Sequence, residues 1–577
     1  MLSLAVSLCI LLGAGVNVHA APLQRPSSSD LLARTNGNVT GSFDLPIRRT
    51  NLRRALKKRG DVSGTTGLGN NADLLYTVPI HFGDKVTAVH LDTGSSDLWS
   101  ITDACTTGTC SRLSSLTHPI ESTGLNTSDA RVIMRYGDSL TGTNATGAVA
   151  FDTATVAGVA ITNQAFAAVD STTNSVVQFG AAGIFGLSFP SGSDVQEALV
   201  IRESGPLTTT DAFVKSTWKY GPLLSRISMT NQLEKPMFSI ELQRSTIDAG
   251  TGGDGMLTVG KLPDDVDENS LTWVPVRLYK PEEGGLRPPT FAPNEVYPFR
   301  WEIDIDGVFL DGERVPDSTI PATGGVDSKR VSALIDTGNS LLRGPRDVVN
   351  NILSQVSPNF NPNRQNSATF PCDVPHTLSF QIGGKMFPID PRDFIGEVTV
   401  GDASTCVADN LVETDAPGIG ALFRWSLGDP FFKSNLVAFH YGNLTHPSVD
   451  PPRVGLLSIV PPDADAQLKK AVQDAQANGG VFDSTLEIAP TASAATAVQV
   501  TVSEVPPTSS TAAANNNGND NAGAAATTTT GAPGSVVTIS MDGPDGGSRQ
   551  DSGSISRAHV SVALLGLGMV IGVVGVW

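Results

Sequence analysis

"VHLDTGSSDLWS", residues 89–100, sets an apolar, strand-like run against Asp92 and a turn of small hydroxyl residues. Asp-Thr-Gly is common turn chemistry, because Asp and Thr bond nearby backbone and Gly tolerates positive φ. One copy says little in a chain with 58 glycines. A second copy changes its weight. "VSALIDTGNSLLRGP", residues 331–345, carries Asp336-Thr337-Gly338 behind another apolar run, and aligning Asp336 with Asp92 matches Ser340 with Ser96 and Leu342 with Leu98. Another pair of motifs keeps step: "GIFGLSF" puts Gly186 94 residues beyond Asp92, and "WSLGDPFF" puts Gly428 92 residues beyond Asp336. Matched offsets of this kind indicate an internal duplication, two lobes that each present one carboxylate.

From Leu74 to Val460 the chain is a succession of short alternating runs, "LYTVPIHFG", "RVIMRYG", "MFSIEL" and "LTWVPV" among them, broken by Gly, Pro and Asn. This pattern predicts an all-β fold. Helical periodicity is confined to short stretches such as "RDVVNNILSQV". An N-terminal lobe is assigned to residues 60–244 and a C-terminal lobe to 245–462.

The two ends differ from this body. Residues 1–20 are an apolar run closing on small residues, expected to be a secretory signal peptide. Residues 21–59 hold nine Lys/Arg against two Asp; with −18 on the whole chain and no charge in residues 1–20, the body from Gly60 onward carries −25. A basic leader on an acidic body suits a propeptide held by complementary charge. Lys58-Arg59 is then a dibasic cleavage site for a kexin-type processing protease, with a plain basic linker as the alternative. No nucleic-acid partner is expected of so acidic a body. Residues 463–547 are assigned to a linker or stalk, which from about Ala489 is too poor in large apolar groups to offset its ordering entropy. Small residues "GPDGGS", a polar spacer and the apolar run Val560–Trp577 fit a GPI-anchor signal over 548–577, attached at Gly547 or, as a weaker candidate, Ser552. A transmembrane tail is the alternative.

Beyond Cys9 in the signal, four cysteines remain, Cys105, Cys110, Cys372 and Cys406, and they allow three pairings. Proximity in sequence favours Cys105–Cys110 and Cys372–Cys406. N-glycosylation sequons stand at Asn126, Asn144 and Asn443, with Asn38 in the leader. The eight histidines form no H-E-x-x-H pattern, so neither a metal nor another cofactor is expected.

With these motifs assembled, the region from about Asp73 to Pro461 resembles the pepsin-like aspartic endopeptidases. "VIMRYGDSLTG" is similar to that family's flap hairpin, with Tyr136, Gly137 and Asp138 at its tip, and "KPMFSIEL", "WEIDIDGVFLDGE" and "WSLGDPFF" follow in the family's order. Both cysteine pairs fall where the family has disulfides, although its third pair is missing. Stalk and anchor resemble those of fungal GPI-anchored, yapsin-like surface proteases. The resemblance implies an all-β, bilobal fold with a cleft between duplicated lobes, and Asp92 and Asp336 as catalytic residues. It also implies that Thr93 and Thr337 cross-link the pair from below, and that Gly94 and Gly338 keep the floor clear. Ser95 stands beside the first aspartate, and Tyr136 closes over substrate with its hydroxyl toward the indole of Trp99. Asn339 departs from the family, which usually has Thr or Ser there; its amide is expected to donate to the outer oxygen of Asp336. The segment from Pro190 to Phe238 is longer than in pepsin, either a cleft-side loop or a surface insertion.

Two carboxylates at a lobe interface cannot both ionise easily, because each charge disfavours the other. They titrate as one unit sharing a proton. The ionised group can take a proton from water while the protonated one donates to a peptide carbonyl. The expected partners are protein or peptide substrates, the chain's own propeptide and a membrane reached through the lipid anchor, with the chain itself a monomer at the cell surface. A catalytically silent pepsin-like binding protein is the alternative; the intact Asp92, Asp336, Tyr136 and both glycines weigh against it.

Overall fold

Strands start where the alternating runs start. In the computed structural model β1 (Gly64–Gly67) and β2 (Gly69–Asn71) lead into β3 (Leu75–Phe82), β4 (Lys85–Asp92) and β5 (Leu98–Ile101). The long β6 (Asn126–Tyr136), β7 (Thr143–Val156) and β8 (Val159–Thr172) follow, then the short β9 (Gly183–Gly186). The structure describes Gly60 and residues 62–106, 108–137, 142–205, 209–249, 255–321, 330–364, 366–414, 423–489 and 497–503. The expected signal, the propeptide with Lys58-Arg59, Asp138 and the anchor candidates Gly547 and Ser552 lie outside the described residues.

The first-lobe strands join in the order β2-β3-β4-β9-β5-β8-β7-β6, and β3 also pairs with β7, so the sheet curls back on itself. The two-residue period is plain in β6, where Val132 and Met134 are buried while Ile133 between them is 49% exposed. Two helices, α1 (Asp194–Ser204) and α2 (Thr210–Tyr220), lie in the long segment after β9, ahead of a shorter helix over Leu223–Met229. Their faces are covered by the first lobe through Leu199, Val200, Phe213 and Val214.

The second half supplies β10 (Met237–Glu241), β11 (Met256–Val259), β12 (Thr272–Pro275), β13 (Glu302–Asp304), β14 (Ser332–Ile335) and β15 (Leu342–Pro345). Helix α3 (Arg346–Val356) precedes β16 (Leu411–Thr414), β17 (Trp425–Leu427), β18 (Asn435–His440) and β19 (Arg453–Ser458). One sheet, β13-β14-β17-β15-β16, belongs to the second lobe alone. Another, β1-β11-β10-β18-β19-β12, takes strands from both halves, so the division assigned at 244–245 falls inside a shared sheet. Where the halves meet, Trp301 lies 4.3 Å from the Phe189 ring, 5.0 Å from Phe439 and 5.2 Å from Tyr441. Its indole donates to the carbonyl of Leu187 at 3.0 Å. A buried ion network spans the same boundary. Lys433 lies 3.2 Å from Asp73 and 3.3 Å from Asp393, and Arg244 grips Asp393 through two bonds of 2.8 and 2.7 Å. Burial pushes the Asp73 carboxyl up, but the Lys433 ammonium and bonds from Asn70, Thr246 and Ser245 override it and hold the group well below the ordinary range.

The duplication is visible strand by strand. β4 runs parallel to β9 with His90 opposite Ile184 and Asp92 opposite Gly186; β14 runs parallel to β17 with Leu334 opposite Ser426 and Ile335 opposite Leu427. β5 crosses β9 with Leu98 on Phe185, and β15 crosses β17 with Leu342 on Leu427, so the aligned leucines occupy matching places. Glycine is required where these strands converge. A Cβ at Gly186 would lie 2.4 Å from the Asp97 nitrogen, and one at Gly428 would lie 1.9 Å from the Asn339 carbonyl oxygen. Disulfides Cys105–Cys110 and Cys372–Cys406 each tie a loop within one lobe, with Cα separations of 5.7 and 4.9 Å. Of the sequon asparagines, Asn126 is exposed at the start of β6, while Asn144 in β7 and Asn443 in the turn beyond β18 are half-buried.

The second lobe does not end at 462. Residues Ala464–Ala477 form α4, whose Leu468, Val472 and Ala475 are buried. β20 (Leu486–Glu487) then pairs with β2, and β21 (Val498–Val500) pairs in parallel with β8 of the first lobe. In the stretch assigned to a stalk from 463, the described residues 464–489 and 497–503 therefore fold back onto the protein, because α4 carries an apolar stripe at helical spacing and Val500 finds a buried site. Leu468→Ala should lower the unfolding free energy by about 2–5 kcal/mol in urea titrations. An unchanged midpoint would mean that α4 adds nothing to the core.

Candidate active site

β4 and β14 end on the same point from opposite lobes. The turn after each strand presses its glycine on the other lobe's carboxylate. A Cβ at Gly94 would lie 2.4 Å from Asp336 Oδ1, and one at Gly338 would lie 2.4 Å from Asp92 Oδ1. Below them the threonines exchange bonds. Thr93 Oγ1 donates to the Ile335 carbonyl at 2.7 Å and accepts from the Thr337 amide at 3.0 Å; Thr337 Oγ1 donates to the Leu91 carbonyl at 2.8 Å and accepts from the Thr93 amide at 3.1 Å. Both threonines are fully buried. Each hydroxyl is thus satisfied as donor and acceptor, and the lattice fixes both aspartates in one frame.

The two carboxylates are held unequally. Asp92 Oδ1 accepts from the Gly94 amide at 2.8 Å and the Ser95 amide at 3.2 Å, while Ser95 Oγ donates to Oδ2. Asp336 Oδ1 accepts from the Gly338 amide at 2.9 Å, and the nearest hydroxyl to its Oδ2 is Ser426 Oγ at 3.5 Å. Burial, and after it the charge of Asp92, pushes the Asp336 carboxyl up to about 7, against the opposing pull of the Gly338 amide, Arg300 and Arg343. Donors to a carboxylate favour its charged form. The arrangement therefore suits a protonated Asp336, with Asp92 the better supported of the two carboxylates.

The Asn339 side chain does not make the expected bond to Asp336. Its Oδ1 accepts from the Leu341 amide and from Arg343 Nε, both at 3.2 Å, and its Nδ2 is turned to Ser426 Oγ at 2.9 Å. Fixing the oxygen on its own turn directs the amide nitrogen toward β17 and away from the carboxylate. Ser426 was not anticipated. Its signal lay in "WSLGDPFF", where a serine occupies the position that Ile184 holds in the matching "GIFGLSF". His90, also missed, is buried beside Asp92 with its Nδ1 3.0 Å from the Tyr76 carbonyl, and burial pushes its pKa down.

Over the carboxylates stands the hairpin of β6 and β7, paired as far as Tyr136 opposite Thr143. Gly137 at its tip has φ 85°. The indole of Trp99 donates to the Tyr136 hydroxyl at 2.8 Å. Burial first, then the charges of Asp97 and Asp92, holds that hydroxyl in its protonated form, so the phenol keeps a proton to donate. Asp97 itself, two residues before Trp99, accepts from the Asp194 amide at 2.8 Å and the Val195 amide at 3.3 Å, fastening the first turn of α1 behind the flap. The long segment after Pro190 thus places helix α1 against β6 and fastens it to Asp97, just before β5. At its far end the Thr290 hydroxyl and amide, from the second half, both donate to Asp211 in α2.

Because the folded pKa of Asp336 lies above the ordinary aspartate value, its contribution to stability is complete below about pH 4 and is lost as pH rises through about 7. Asp336→Asn should therefore melt higher than wild type near pH 8 and close to it near pH 4. A difference independent of pH would contradict a carboxyl strained by its own charge.

These features have counterparts in known proteins. Residues 75–446 match the family model described as eukaryotic aspartyl protease. Pepsin A of Sus scrofa is 27% identical over 387 residues, covering 66% of this chain and 82% of the relative. An aspartic protease of Phaffia rhodozyma is 26% identical over 69% of this chain and 80% of its own length. Major aspartyl peptidase 1 of Cryptococcus neoformans var. grubii is 25% identical over 68% and 71%. A match to the family model over more than half of the chain, on a bilobal β fold that joins one Asp-Thr-Gly turn from each lobe, identifies the protein as a member of the eukaryotic aspartyl protease family, an aspartic endopeptidase of the pepsin-like kind.

Proposed function

We propose that Asp92 and Asp336 are the catalytic residues and that they cleave peptide bonds with a water held between them. The observation that carries this reading is the unequal support of two adjoining carboxylates. Asp92, with three donors, takes a proton from the water as the water oxygen attacks the scissile carbonyl carbon. Asp336, which keeps its proton to about pH 7, gives it to the carbonyl oxygen, and a neutral gem-diol forms. In the collapse a diol hydroxyl returns its proton to Asp336, Asp92 passes its proton to the amide nitrogen, and the C–N bond breaks. Gly94 and Gly338 leave the floor open to an extended substrate backbone, and the Tyr136 hairpin covers it.

The finer reading is a zymogen exported to the cell surface. The propeptide, residues 21–59, is held on the −25 body by charge and released by a kexin-type protease at Lys58-Arg59. Both disulfides and the sequons at Asn126, Asn144 and Asn443 support an oxidising, secretory route. The Ser/Thr-rich stretch beyond residue 503 is the stalk, and the apolar run Val560–Trp577 is the signal exchanged for a GPI anchor at Gly547 or Ser552.

Protein beginning at Gly60 should cut a peptide library in acid, and both pepstatin and Asp92→Asn should abolish the cleavage. Cleavage that survives Asp92→Asn would refute the two-aspartate assignment. Complete inactivity of folded, processed protein would favour a silent binding role.

A further inference from the structure

The duplication allows each side chain around one aspartate to be compared with its counterpart around the other. Ser95, three residues after Asp92, corresponds to Asn339, three after Asp336. Ile184, two before Gly186, corresponds to Ser426, two before Gly428. Each lobe therefore has one hydroxyl in this pair of places, and the two lobes put it in opposite ones. In the first lobe the hydroxyl is on the turn and donates directly to Asp92 Oδ2. In the second lobe the turn carries an amide, and the hydroxyl comes from the strand that runs parallel to β14.

The contacts of Ser426 fit this exchange. It is 5% exposed, and its Oγ accepts from Asn339 Nδ2 at 2.9 Å, so its own proton is left for another acceptor. Asp336 Oδ2 lies 3.5 Å away. That separation is longer than the roughly 2.5–3.0 Å of a formed O–H···O bond, and a charged acceptor shortens such bonds. Asn339 thus acts through Ser426 and does not touch the carboxylate itself.

We propose that Ser426 is a positioning residue for Asp336: its hydroxyl, delivered by β17 and oriented by Asn339, supplies to the outer oxygen of the second aspartate the bond that Ser95 supplies to the first. This rests on the reading of Asp92 and Asp336 as the catalytic pair. The bond favours the ionised form of Asp336, so it sets how far up the pH scale that group keeps its proton. The second lobe loses a hydroxyl from its turn and recovers the function from its neighbouring strand.

The test compares wild type with Ser426→Ala, Ser426→Thr, Asn339→Ser, Asn339→Ala and the double variant Ser426→Ala/Asn339→Ser. Two readouts are taken: the alkaline limb of kcat/KM, and the substrate-free 13C titration of the Asp336 carboxyl, assigned by its loss in Asp336→Asn. Ser426→Ala should move both upward by about half to one pH unit, the shift expected for one hydrogen bond. Ser426→Thr should retain the wild-type midpoint, and the double variant should return toward it. Asn339→Ser trades the orienting amide for a hydroxyl on the turn and should leave the midpoint near wild type, whereas Asn339→Ala removes the amide and adds no donor, so it should raise the midpoint and keeps the proposal falsifiable if Ser426→Ala does not fold. A Ser426→Ala protein that is less stable but titrates as wild type would overturn the proposal and leave a merely structural serine. If Asp92→Asn abolishes cleavage while no Ser426 variant moves Asp336, the pair stands and the role of Ser426 falls. If wild type is inactive but the Asp336 midpoint follows Ser426, the positioning role stands and the catalytic reading falls.

Discussion

Two carboxylates pressed together by four threonine hydrogen bonds are the constraint on which the remaining structure depends. Thr93 and Thr337 are each donor and acceptor across the lobe boundary, so neither aspartate can retreat without breaking buried bonds on both sides. The glycines follow from the same closeness, because any Cβ at Gly94 or Gly338 would fall on the other lobe's carboxylate. So does the shared proton. Repulsion that cannot be relieved by distance is relieved by neutralising one partner, and the partner with fewer donors, Asp336, is the one pushed up to about 7.

A rigid frame is needed to sustain this. The sheet shared by both halves, the aromatic cluster around Trp301 and the ion network from Asp73 through Lys433 to Arg244 all join the two halves. Breaking one member of such a buried network leaves an uncompensated charge, so its value lies in being complete. The chain after residue 463 adds a further tie, since α4 rests on the second half while β20 and β21 pair with strands of the first. The hairpin of β6 and β7 stands over the site on its two-stranded stem.

Much of this was legible in the sequence because duplication repeats its signals. Two Asp-Thr-Gly turns and two glycines at matched offsets located both carboxylates, and the alternating runs between them marked the strands. What stayed hidden depended on the third dimension. Asn339 reads as a donor to its neighbour Asp336, yet its own turn captures the carbonyl oxygen and sends the nitrogen to Ser426. His90 sits inside an apolar run and reads as a strand residue; only the fold brings it, buried, within reach of the Asp92 charge. The C-terminal boundary was misplaced for a different reason. Composition dilutes gradually toward the Ser/Thr-rich segment, and the stripe of Leu468, Val472 and Ala475 is short enough to be lost in it.

On the proposed mechanism, a single proton shared by Asp92 and Asp336 makes the site active. The pH dependence of kcat/KM for one peptide, measured on protein beginning at Gly60, tests that claim most directly because it reports the free enzyme's essential acid and base. The predicted result is a bell whose alkaline limb falls near pH 7, where Asp336 loses its proton. A rate that goes on rising through neutral pH would contradict it, since cleavage would then need no protonated aspartate.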